Sequence, residues 1–257
     1  MSKATTIALL ERRPDISRDL FSRYWRDVHG VMAARIPGFE SYVQHHVAPL
    51  EDMGSAIVEP FEGIAVVTFA NPGDRDGLIH SPVTSHIHRD EQNVFRRALL
   101  YNLEADATSI FGDADRLALD SYFLVLPLEV GGIEVAKGLT RDGAIMVAFH
   151  DLSGADPAGW NDTDVEEGGA SRLFGAVIQC WWSDLALARA ALADAVRVSL
   201  GRIACYRTDE RYLMVEQGRP TLIGLRGLDA VRTIEEAGAV NQREPEVLRA
   251  IYGAVAG

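Results

Sequence analysis

The stretch from Tyr24 to Val47 gathers side chains suited to moving a proton: His29, Tyr42, His45 and His46, with Trp25 beside the first of them. His29 lies four residues after Trp25 and three before Met32, so it shares their side of a helix, near that helix's C-terminal end. A helix C-terminus favours imidazolium and burial against Trp25 disfavours it, which places the ring's titration close to neutrality. That is where a general acid or base works best. The alternative is a histidine at the edge of the core, bonded to a backbone carbonyl. Beyond Pro37-Gly38, alternation sets Tyr42, Gln44 and His46 on one side of a strand and Phe39, Val43 and Val47 on the other. The apolar side is expected under the helices, together with His45. The Tyr-Gln-His side is expected to face an internal chamber, because buried polar groups are costly unless paired or solvated. His29, Tyr42 and His46 are therefore the candidate catalytic residues, with Gln44 and Trp25 as candidate substrate contacts.

Other reactive side chains sort by spacing. His80, His86 and His88 lie near Asp90 and Glu91, but His86 and His88 are two apart and face different directions on a helix. Only His86 and Asp90 form an i,i+4 pair, and no HExxH or CxxC accompanies them, so no metal is expected. Asp90 could instead orient a catalytic histidine by fixing its tautomer and charge. His150, at a strand end, is either a contribution of the second half to the chamber or a surface residue. Of Trp181 and Trp182, one faces each side of a strand. Trp160, in an acidic loop, is either a lid over an apolar substrate or an interface contact. Neither GxGxxG, GxxxxGK[ST] nor Gly-x-Ser-x-Gly occurs, which removes dinucleotide, nucleotide and hydrolase readings.

The elements that must hold these residues follow from periodicity. A strand over 4–13 is followed by a helix over 18–35, whose apolar residues Leu20, Phe21, Tyr24, Trp25, Val28 and Met32 recur at three- and four-residue spacing. Pro37-Gly38 ends it. Strands over 39–47 and 62–70 come next. A second helix is predicted over 81–104, with Val94, Phe95, Ala98, Leu99 and Leu103 as its buried stripe, and "ATSIFGD" is predicted as the fourth strand. The order β-α-β-β-α-β is that of a ferredoxin-like unit. From Asp120 a second, divergent unit is expected: strands at "SYFLVLPLEV", "GAIMVAFHDL", "SRLFGAVIQCWWSD" and "RIACYRTDERYLMVEQ", a helix at "LALARAALADAVRVSL", and one or two terminal helices. The polar loop "SGADPAGWNDTDVEEGGAS" is expected to replace that unit's first helix. The fold class is therefore α+β, with ferredoxin-like units over 1–117 and 118–257. Their sheets are expected to pack face to face as a barrel, since each leaves one face without helices.

Composition narrows the partners. With 257 residues, 37 acids against 25 bases and a net charge of −12, the chain repels phosphate backbones and anionic surfaces, so neither nucleic acid nor membrane is an expected partner. Two cysteines in no shared motif favour a reducing, cytoplasmic setting. The apolar stretch near the start is too short for a signal-peptide core.

The run "FSRYWRDVHGVMAARIPGFESYVQHH" resembles the EthD family, whose first helix carries an aromatic-Trp-x-x-x-His pattern, followed by Pro-Gly and a strand with Tyr. Here those positions are Tyr24, Trp25, His29, Pro37, Gly38 and Tyr42. "RDEQNVF" resembles the family's Asp-Glu-x-Asn-Phe motif, supplied by Asp90, Glu91, Asn93 and, displaced by one, Phe95. The resemblance covers roughly the first 115 residues. It implies a dimeric α/β-barrel fold closed within one chain, a possible further homodimer, and Asp90 and Asn93 as additional substrate contacts. It also implies a cofactor-independent enzyme doing acid/base chemistry (dehydration, isomerisation or cyclisation) on a small apolar, aromatic or polyketide-like molecule. Two alternatives stay open: a non-catalytic accessory protein that binds a small molecule, and a haem-binding barrel.

Overall fold

Strand β1 (Ala4–Arg12) alternates as its sequence requires: Ile7 and Leu9 are buried on one face, Ala8 and Leu10 lie on the other. In this computed structural model, residues 3–53, 61–76, 80–112, 119–158, 165–166 and 174–253 are described. Ser17 then caps α1 (Arg18–Tyr24) by accepting from the Leu20 amide at 3.1 Å. The helix continues through a π turn (Trp25–His29) into α2 (Gly30–Ala33). There the Trp25 carbonyl accepts from the Gly30 amide, five residues on, and from Gln44 Nε2 at 2.9 Å. Gly30 permits that approach, since a Cβ on it would lie 2.5 Å from Gln44 Nε2. π turns of this kind insert one residue and re-aim the side chains around them.

Next come β2 (Phe39–Pro49), β3 (Gly63–Phe69), α3 (Pro72–Asp76), α4 (Thr84–Val94), β4 (Phe95–Asn102) and β5 (Thr108–Gly112). The second half supplies β6 (Asp120–Pro127), α5 (Gly132–Arg141), β7 (Met146–Asp151), β8 (Asp156–Ala158) and β9 (Phe174–Trp182). It ends with α6 (Leu185–Val198), β10 (Ala204–Glu216), β11 (Arg219–Pro220), α7 (Leu222–Arg226), α8 (Leu228–Glu236) and α9 (Pro245–Tyr252).

One antiparallel sheet runs β5-β7-β9-β6-β10-β2-β3-β1-β4-β8, with β11 paired to β10. It contains the same strand order twice: β2-β3-β1-β4 and β7-β9-β6-β10 each read second, third, first, fourth. The two sets meet where β10 pairs with β2. At the other edge they are stitched by exchange, because β5 follows β4 in the chain but pairs with β7, while β8 follows β7 but pairs with β4. The sheet curls accordingly, and its inner face is filled by Ile7, Leu9, Ile64, Phe123, Val125 and Tyr206. The outer faces carry helices: α1, α2 and α4 over the first set, α5 and α6 over the second.

Four expectations need correction. The helix predicted over 81–104 ends at Val94, and its second half is β4; "FRRALLYN" satisfies either period, and the open edge of β1 takes it as a strand. "ATSIFGD" therefore supplies not the first unit's fourth strand but β5, which pairs across to β7. The second unit's first helix is present as α5, in the short segment between two obvious strands, so no loop replaces it. Finally, the faces of β2 are inverted beyond its first residue; Phe39, set off by the irregularity between Phe39 and Ser41, lies on the helix side as expected. Tyr42 packs with the helix-side cluster containing Trp25, whereas Val47 belongs to the barrel interior. His45 also lies inside the barrel, edge-on to Phe123 at 4.9 Å between ring centres. The expected boundary at 117/118 and Trp160 lie outside the described residues.

Candidate active site

Because the helix-side face of β2 is the polar one, the chamber lies outside the barrel, between the first half's sheet and its own helices. The cavity measures about 330 Å³, within the range of small-molecule sites. Its floor is shallow at the centre because Ala8 and Ala65 face each other across β1 and β3. Trp25, His29, Ala33 and Ile36 form a wall from the first helix, Ile87 and Glu91 one from α4, and Phe39, Phe69 and Phe95 complete an aromatic lining.

His29 is set into this wall by two neighbours. Its Nδ1 lies 3.0 Å from Asp90 Oδ2, and its ring meets Phe95 edge-on at 5.3 Å. Asp90 is itself fixed: the Tyr24 hydroxyl donates to Oδ1 at 2.6 Å, and Asn93 Nδ2 donates to the same oxygen at 3.2 Å. Burial opposes the ionisation of Asp90, but the hydrogen bonds from His29 and Tyr24 outweigh it and hold the carboxyl below its ordinary range. Burial, with the bond to Asp90 behind it, pushes the Tyr24 hydroxyl up to about 12, so it stays a donor. An anionic Asp90 requires a proton on His29 Nδ1. That leaves Nε2, which has no protein partner among the described residues, as the nitrogen available to the cavity.

Tyr42 also lines the cavity. Its hydroxyl accepts from Gln44 Nε2 at 2.8 Å, and its ionisation is suppressed chiefly by burial, against hydrogen bonds from Gln44 and Trp25 that favour the phenolate. Gln44 is fully buried and spans Tyr42 and the Trp25 carbonyl, so it pins the π turn rather than meeting the cavity. His46 lies behind Trp25, with ring centres 4.5 Å apart, and its Nδ1 bonds the Ser22 hydroxyl at 2.8 Å. Burial, reinforced by the nearby Arg26 charge, pulls it down to about 3, so it is neutral at working pH.

Of the residues singled out in the sequence, Trp25, His29 and Tyr42 line the cavity; Asp90 and Asn93 stand behind His29, and Gln44 and His46 behind Trp25. The expectation that His46 enters the chamber is corrected: it shares the face of Tyr42, but the Trp25 ring lies between it and the cavity. Thr6, Arg75, Thr84 and Asn102 also line the cavity and escaped notice. Asn102 would have been found by alternation had β4 been read as a strand. His150 is buried against Thr108, Oγ1 to Nδ1 3.0 Å, neither on the surface nor in this cavity. Among the described residues, no group of three or more His, Cys, Asp or Glu side chains is placed to hold a metal ion. No helix among them is long and apolar enough to cross a membrane.

The far end of the chain braces this site. Asp27, inside the π turn, accepts the Leu228 amide at 2.6 Å and so caps α8, favoured there by the helix dipole. Its other partner is Arg26, which is buried and also donates to the Tyr212 hydroxyl on β10 at 3.1 Å. The second half thus fixes the segment that carries His29.

Residues 13–97 match the family model described as the EthD domain. No curated protein matches the chain. Among solved structures, an anthrone oxidase-like protein is similar over 84% of this chain and 94% of its own, at 12% identity and a TM-score of 0.50. A Fusobacterium nucleatum protein named provisionally as a monooxygenase is similar over 86% and 99%, at 6% identity and a TM-score of 0.43. The likeness to the first of these is one of fold: a curled antiparallel sheet with helices outside, of the dimeric α/β-barrel kind.

Proposed function

We propose that this EthD-like region is the catalytic part of an enzyme that moves protons on a small, mostly apolar, planar molecule. The observation that carries the reading is the His29–Asp90 pair at the wall of an apolar cavity, with Nδ1 tied down and Nε2 without a partner among the described residues. His29 Nε2 takes a proton from an acidic C–H of the bound molecule and returns it elsewhere. Asp90 steadies the imidazolium formed in between, and Tyr24 and Asn93 keep Asp90 in place. Tyr42, held neutral by burial, is a hydrogen-bond donor for the oxygen on which negative charge gathers when the C–H bond breaks. Proton removal followed by proton return covers elimination, isomerisation and cyclisation, and every step uses groups that the chain itself supplies.

The test is hydrogen exchange. In D2O the wild type should accelerate loss of the C1 protons of 2-tetralone, a planar ketone with an acidic C–H, as followed by NMR. His29→Ala should fall to the buffer rate with its fold intact. Equal exchange by the two proteins would refute the assignment.

A further inference from the structure

The end of the cavity remote from His29 is polar in a different way. His29 packs on Phe95, which pairs with Arg12 of β1, while Thr6 of β1 pairs with Asn102. Thr6 and Leu10 both line the floor, four residues apart, which separates the two ends by about 13 Å at strand rise. The acids lie at the His29 end, Asp90 bonded to it and Glu91 next in sequence. At the Thr6 end sits the cavity's guanidinium, Arg75. Its Nη1 donates to the Leu103 carbonyl at 2.7 Å, which fixes the side chain. Its Nε is buried and makes no hydrogen bond; the nearest carboxylate, Asp76, is 3.8 Å away and its side chain is 74% exposed. Beside it the Asn102 Oδ1 accepts from the Thr6 hydroxyl at 2.7 Å, so Nδ2 is left as a donor with no partner among the described residues. A buried guanidinium N–H with no acceptor is costly unless something accepts from it, and the Asn102 amide offers a second donor nearby.

We propose that Arg75 and Asn102 form a carboxylate subsite, and that the molecule handled here is an elongated, apolar-centred carboxylic acid. A carboxylate matches the planar fork of a guanidinium better than any neutral acceptor does. The acids around His29 repel it from the opposite end, so the molecule enters in one orientation and its far end is presented to Nε2. This inference rests on the reading of the cavity as an acid–base site and adds to it a specificity-determining pair.

Binding of 2-naphthoate and of 2-naphthamide to the full chain, measured by titration calorimetry, tests it. The wild type should prefer the carboxylate by about tenfold or more, the size expected of one charge-assisted pair. Arg75→Gln should bind both probes alike, and His29→Ala should keep the preference. If Arg75→Gln does not fold, Asn102→Leu decides, with the preference reduced about threefold. An undiminished preference in the folded variant, or no preference in the wild type, would overturn the subsite and leave the role of His29 standing, since that is read by exchange. Binding of neither probe would likewise overturn the subsite.

Discussion

The two sheet–helix layers of this molecule have the same strand order and opposite interiors. In the first, the central pair across the first and third strands is Ala8 opposite Ala65. In the second, the corresponding pair is Leu124 opposite Ile178, and both are fully buried under α5 and α6. Two methyl groups in place of two branched side chains leave the first layer hollow. Cys180, Cys205, Trp182 and Leu192 pack into the same cluster in the second. Burial pushes the Cys180 thiol up to about 12, so it behaves there as a small apolar group and not a nucleophile. Histidine follows the same division: His29 has a carboxylate behind it and a cavity before it, whereas His150 is closed in. One half carries the proposed chemistry while the other, through α8 and β10, braces it.

The comparison can be broken most severely at the rate. His29→Ala should lower turnover by about 10²–10⁴, the usual worth of a positioned acid–base group, with its melting temperature little changed. Deleting bulk in the filled layer should do the reverse: Trp182→Ala should cost about 3–5 kcal/mol of stability by denaturant titration, since nothing can relax into the space. Adding bulk separates the layers more sharply still. Ala65→Leu has the cavity to grow into, so it should leave stability within about 1 kcal/mol of wild type while abolishing probe binding. Ala176→Leu meets α5 at once, because Gly132 packs so close that a Cβ added to it would lie 2.8 Å from the Ala176 Cβ, and it should destabilise by about 1–3 kcal/mol.

The smallest expected effect lies in pH. His45 and His46 occupy opposite faces of β2, and both are pulled down to about 3, first by burial and then by nearby positive charge. The folded state refuses protons that the unfolded chain accepts below its ordinary value of 6.5. Stability is therefore complete above about 6.5 and falls as pH drops toward 3. Denaturant titrations across that range should show His46→Gln flattening the slope by up to about 1.4 kcal/mol per pH unit, one proton's worth. An unchanged slope would mean that His46 is already protonated in the folded protein.

What could be read from the sequence was local. The helix, the Pro-Gly turn and the strand are set by residues adjacent in the chain, and they place Trp25, His29 and Tyr42 on one wall. The side of β2 that faces the helices was not readable, because polar side chains ordinarily avoid a helix interface. Here that interface offers them partners: the π turn leaves the Trp25 carbonyl for Gln44, and Ser22 meets His46. A π turn leaves no mark in hydrophobic periodicity. The exchange of β5 and β8 between halves was equally hidden, since it depends on which sheet edges stand open rather than on either segment's composition. Arg75 and Asn102 come together only once β4 is known to be a strand that ends beside α3.

The placement of His29 is tested most directly by nitrogen NMR of histidine-labelled protein titrated with 2-naphthoate. The Nε2 resonance of His29 should move as the probe enters while its Nδ1 keeps its proton, and the resonances of His46 and His150 should stay where they are. A probe that binds yet leaves His29 Nε2 untouched, or shifts His150 instead, would place the ligand in another part of the molecule and contradict the account.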